Sequence, residues 1–99
     1  MLVHTVVFWL KKGVPAAGRA RFRKALEGLA AIKSARRLFV GVPAATAERG
    51  VIDRSYDLSL TAVFKDVAAL AAYDVHPIHA RLLADFAASW KKVVVYDAE

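Results

Sequence analysis

The first apolar stretch, residues 3–10, alternates in a way that leaves neither side polar. His4, Val6, Phe8 and Leu10 point one way, and Val3, Thr5, Val7 and Trp9 the other. Lys11-Lys12-Gly13 ends this strand, and Pro15 is suited to the first turn of a helix. Over residues 16–33 the spacing changes to a helical one. Phe22, Leu26 and Leu29 repeat on one stripe with Ala25 and Ile32 beside them, and Arg19, Arg23, Lys24, Glu27 and Lys33 take the outer surface. Gly28 costs such a helix about 1 kcal/mol relative to alanine, so close packing against the sheet is the expected reason for it.

Residues 36–42 read as a short second strand, and residues 43–54, with Pro43, Thr46 and Gly50, as an exposed loop. The third strand is expected over residues 55–64. Tyr56, Leu58, Leu60, Ala62 and Phe64 form its apolar face, and Asp57, Ser59, Thr61 and Val63 a mostly polar one. Asp66 can cap a helix carrying Val67, Leu70 and Tyr73. Residues 74–79 break that helix, because His76 precedes Pro77 and is biased toward extended backbone. Pro77 then starts a helix over 77–90 with Ile78, Leu82, Phe86 and Trp90 near one stripe, and residues 93–97 form the last strand.

The resulting order, βαββαβ, predicts a single α+β domain over residues 1–99 with a ferredoxin-like fold: a four-stranded antiparallel sheet with helices on one face. The other face would then carry Val3, Val7 and Trp9 beside Val94 and Tyr96. An apolar patch of that kind calls for a partner, so the chain is expected to form a homodimer through its sheet faces. Asp57, Ser59 and Thr61 are the weak point of that interface.

Composition sharpens this picture. In a chain of 99 residues, 58% belong to the apolar set, which is high for a domain that buries only about 60–65% of its unfolded surface. There is no cysteine, which excludes disulfides, thiolate-based zinc sites and thiol nucleophiles. Neither a leader peptide nor an apolar run of the roughly 20 residues needed to span a bilayer is visible, so a soluble, cytoplasmic protein with no membrane association is expected. The net charge of +6 brings a polyanion into consideration. The densest basic stretch, Arg19, Arg21, Arg23 and Lys24, spreads around a helix instead of lining one side. A solvated face therefore explains it better than a nucleic-acid site.

The chain resembles the stress-responsive α/β-barrel domain family, Dabb, over nearly its full length. The resemblance rests on His4-Thr5-Val6-Val7-Phe8, Gly41, Ser55-Tyr56-Asp57-Leu58, Phe64-Lys65-Asp66-Val67-Ala68-Ala69-Leu70, Tyr73-Asp74-Val75-His76-Pro77-Ile78-His79, Trp90 and Tyr96-Asp97. It implies a dimeric α/β barrel in which two sheets face each other. Most members have no assigned reaction. The plant polyketide cyclase branch uses a cavity between sheet and helices, with a tyrosine and a histidine matching Tyr73 and His79 and a first-strand histidine matching His4. By position, Phe22, Leu26, Leu60, His76 and Trp90 should also surround that cavity. Leu58 stands where the cyclase branch has a histidine, Arg23 replaces an aromatic wall residue, and Leu26 replaces a tyrosine. The cyclase substrate therefore does not transfer.

The three histidines all fall in the matching segments. An imidazole can serve as a general base near neutrality without special surroundings, which makes His79 the candidate base, with Tyr73 orienting or polarising a substrate oxygen. Such a pair suits proton abstraction next to a carbonyl. The bland alternative has His76 capping a helix and His79 bonded to Tyr73 or His4 as polar packing. A zinc site on His76, His79 and His4, steered by Asp74 or Asp57, is disfavoured because the His-x-x-His spacing lies across a proline. No serine sits in a nucleophile elbow and no phosphate-binding glycine loop occurs. The sequence therefore implies no cofactor and no metal. Its expected function is to hold a small, largely apolar molecule in a sheet–helix pocket, or to act as a structural module. The rival is an enzyme using Tyr73 and His79.

Overall fold

The computed structural model describes all of residues 1–99. Strand β1 (Leu2–Leu10) is followed by helix α1 (Ala16–Gly28), strand β2 (Ala35–Gly41), strand β3 (Leu58–Phe64), helix α2 (Val67–Asp74), helix α3 (Pro77–Phe86) and strand β4 (Trp90–Ala98). The strands form one sheet in the order β2-β3-β1-β4, and every pairing is antiparallel. This is the ferredoxin-like α+β fold that the pattern predicts.

The alternation of β1 settles which side is covered. Leu2, His4, Val6, Phe8 and Leu10 are buried, and the residues between them are half-buried. On β3, Leu58, Leu60, Ala62 and Phe64 join the same core, and the helices contribute Phe22, Leu26, Leu29, Tyr73 and Leu82. Phe22 packs edge-on against Phe8 at 5.0 Å and lies 5.7 Å from Trp90. Cross-strand register defines the opposite face. Val7 pairs with Val94 and Ser59, and Thr5 with Tyr96 and Thr61. Paired residues point the same way, so Val3, Val7, Trp9, Val94 and Tyr96 share the outer face. Phe39, opposite Thr61, joins them and is 68% exposed. On this face Trp9 is fixed by its indole N–H, which donates to Ser55 Oγ at 3.0 Å, and by the Lys92 ammonium 4.8 Å above its ring.

Several boundaries differ from those the sequence predicts. The first helix tightens to a 3-10 turn at Leu29–Ala31 and does not continue as an α-helix to residue 33. Gly28 is exposed, with open space where a Cβ would be, so close packing is not its reason. Regular pairing of the third strand starts at Leu58, because Asp57 leaves the outer face to bind at the sheet's end. Its carboxylate accepts from the Leu10 N–H at 2.7 Å and pairs with Arg19 at 2.9 Å, tying α1 to the sheet. The last helix stops at Phe86, and Trp90 opens the final strand instead of completing a helical stripe. Within the 42–57 connection, Arg54 donates to the carbonyls of Ala44 and Thr46.

The helix breaks are local chemistry. Asp66 caps α2 by accepting from the Ala69 N–H at 2.9 Å. His76 caps α3 by accepting from the Ile78 N–H on Nδ1 at 3.1 Å, with Pro77 at the first helical position. No helix is long and apolar enough to cross a membrane.

Leu26 is fully buried between α1 and the sheet. Leu26→Ala should lower the unfolding free energy by about 2–5 kcal/mol, measured by urea denaturation. A loss below about 1 kcal/mol would mean that the core is not seated on this residue.

Candidate functional site

The helices leave part of the sheet's inner face unfilled. The resulting cavity, of about 310 Å³, has twelve apolar residues among its sixteen lining residues. The strands supply its floor: His4, Val6 and Phe8 from β1, Leu60 from β3, and Trp90, Val93, Val95 and Asp97 from β4. The helices supply its walls: Leu26, Leu70, Tyr73 and Asp74 from α1 and α2, and His79, Leu82 and Leu83 from α3, with Leu29 just past α1.

The cavity is polar at one end and apolar at the other. In the β1–β4 register His4 faces Asp97, Val6 faces Val95 and Phe8 faces Val93. From His4 to Phe8 is four residues, about 13 Å of strand. At the polar end, His4 Nδ1 lies 2.5 Å from Asp97 Oδ1. Tyr73 stands edge-on to His4 at 6.1 Å and 5.0 Å from His79, centroid to centroid. His79 Nε2 lies 4.0 Å from Asp74 Oδ1. At the apolar end, Phe8 and Trp90 pack at 5.0 Å.

The break between α2 and α3 builds the polar end. Tyr73 and Asp74 close α2, two residues turn the chain, and His79 falls in the first turn of α3. Burial lowers the pKa of His79 below the ordinary 6.5, and His4 pushes the same way against the opposing Asp74 carboxylate. Its Nδ1 is buried without a hydrogen-bond partner, as is the indole N–H of Trp90. Burial, reinforced by Asp74, raises the Tyr73 hydroxyl well above its ordinary value, so it stays protonated and able to donate.

Of the residues singled out in the sequence, His4, Leu26, Leu60, Tyr73, His79 and Trp90 line this cavity. Phe22 and His76 do not. Phe22 is enclosed in the core against Phe8, Phe86 and Trp90, and His76 spends its Nδ1 on the α3 cap. No hydrogen bond joins His79 to Tyr73 or His4. No group of three or more His, Asp or Glu side chains is arranged to hold a metal. Sequence reasoning missed Asp97 as the partner of His4. The available signal was that a first and a last strand, paired antiparallel, bring residue 4 opposite a residue near 97.

The model of the stress responsive A/B barrel domain family matches residues 2–99. No curated protein matches the chain. Among solved structures, a Dabb family protein with a ferredoxin-like fold from Mesorhizobium loti is 27% identical with a TM-score of 0.78, covering 99% of this chain and 94% of its own. A dimeric ferredoxin-like protein of unknown function from Jannaschia is also 27% identical, with a TM-score of 0.76 and 99% and 97% coverage. The hydroxynitrile lyase from Passiflora edulis has a TM-score of 0.80 over 98% and 90% of the two chains. At 17% identity that likeness is one of fold alone.

The His79 assignment makes a measurable claim. A pH titration of its imidazole by NMR should give a midpoint below 6.5. The unfolded chain then takes up this proton before the folded one does, so folding stability should decline as pH falls through 6.5. His79→Asn should remove that part of the decline. A midpoint at or above 6.5 would contradict the burial described above.

Proposed function

The chain belongs to the stress responsive A/B barrel domain family, and from that premise we propose that it works as a homodimer whose protomers each bind a small, largely apolar molecule between sheet and helices. The observation that carries the binding reading is the cavity itself. A structural module of this size would be expected to fill the space between Leu26, Val6 and Trp90, since interiors close-pack. Here about 310 Å³ stays open, with the titratable groups gathered at one end. A mostly apolar hollow with few convergent polar groups is the usual form of a small-molecule site.

The dimer reading rests on the outer sheet face. Val3, Val7, Trp9, Val94 and Tyr96 would leave an apolar patch in water, with Phe39 beyond Ser59 and Thr61, and a second copy has the same need. The dimeric relatives of this fold support dimerisation in general. Ser59 and Thr61 then meet the partner as hydroxyls able to hydrogen-bond. Neither a cofactor nor a nucleic acid enters this reading, and a cytoplasmic setting accords with a chain free of cysteine.

A second reading, catalysis of proton transfer, is supported by one observation: burial biases His79 toward its neutral form, and its ring lies 5.0 Å from that of Tyr73 in the cavity wall. Such a base could take a proton from a carbon next to a carbonyl while Tyr73 donates to the oxygen.

Titration with para-butylphenol, followed by NMR at His4, Tyr73 and His79, should give saturable shifts. Val6→Phe, which fills the middle of the cavity, should abolish them while the chain stays folded. No shift in the parent protein would overturn the binding reading. For the dimer, Trp9→Glu replaces the largest apolar side chain of the interface by a carboxylate with only Lys92 beside it and should give monomer or aggregate in size-exclusion chromatography with light scattering. A soluble, folded dimer from that variant would displace the interface from this face.

A further inference from the structure

We infer that the cavity selects uncharged ligands and rejects carboxylates, even though the protein as a whole is strongly cationic. The inference rests on the binding reading above and adds the chemical class of the ligand.

The argument begins with where the charges are. All 15 lysines and arginines are absent from the cavity lining, whose charged or titratable groups are His4, Asp97, Asp74 and His79, with the Tyr73 hydroxyl among them. Each imidazole is matched by one carboxylate, at 2.5 Å for His4–Asp97 and 4.0 Å for His79–Asp74. With both rings protonated the wall is only neutral. Burial biases His79 toward its neutral form, and to that extent the wall carries a net negative charge. A carboxylate entering the polar end would meet two carboxylates and no free cation. It would lose its hydration without gaining an ion pair.

An uncharged polar group faces no such cost. The Tyr73 hydroxyl can donate to a carbonyl oxygen. The Asp74 and Asp97 carboxylates of the lining can accept from an amide or hydroxyl. The apolar end, with Phe8, Trp90 and Val93, takes the rest of the molecule. The long-range field of the +6 chain works against this local preference, but solvent salt screens it beyond about 8–10 Å. The wall carboxylates act at contact range.

The test uses an isosteric pair of probes, para-butylbenzamide and para-butylbenzoate, titrated into the full chain at neutral pH with NMR detection at Tyr73 and His79. The benzamide should bind at least about tenfold more tightly, which is the scale of a single unit charge repelled at short range in a partly wet site. Asp74→Asn should narrow the gap several-fold by strengthening benzoate binding, with little effect on the benzamide. Asp97→Asn provides a second variant should the first disturb α2. Equal affinities, or tighter benzoate binding, overturn this inference and leave the binding reading standing. Failure of both probes and of para-butylphenol removes the binding reading and this inference together.

Discussion

The strict alternation of β1 organises the molecule. This strand pairs on both sides, with β3 and with β4, so each of its side chains must suit one of two environments. Leu2, Val6, Phe8 and Leu10 go to the core, and His4, on the same side, is the only polar or charged residue buried there. A shift of one residue in register would exchange the two sets. It would put Val7 and Trp9 under the helices and carry His4 away from Asp97. The core, the outer apolar face and the polar end of the cavity therefore depend on one pairing frame.

Most of that frame was legible in the sequence because period-two and helical spacings are properties of local residues. Both faces of β1 and β3, the Asp66 cap and the break at His76-Pro77 could be read directly. The ends of elements were harder. Trp90 continues the spacing of Ile78, Leu82 and Phe86 as well as any helical residue, and only its pairing with Leu10 on the sheet makes it a strand residue. Asp57 fits an alternating pattern until the Leu10 N–H and Arg19 offer it better partners at the sheet's edge.

The site was legible in type and less so in pairing. Sequence spacing brought Tyr73 and His79 together but suggested that they bond to each other or to His4. Instead each histidine of the cavity is served by an aspartate, one from a strand 93 positions away and one from the end of the preceding helix. Long-range partners of this kind depend on strand order, which a single sequence states only indirectly. The hollow was harder still to foresee. Its open volume comes from how far α2 and α3 stand from β4, and no residue encodes that distance alone.

The His76 cap has a consequence beyond the start of a helix. Its Nδ1 accepts a hydrogen bond from the Ile78 N–H, so that nitrogen must be bare and the ring's proton must sit on Nε2. Three residues on, His79 occupies the same opening turn, and its orientation depends on that turn holding shape. One imidazole thus serves as a tautomer-locked peg for another. Disturbing the peg would alter the opening turn of α3 and with it the placement of His79 in the cavity wall.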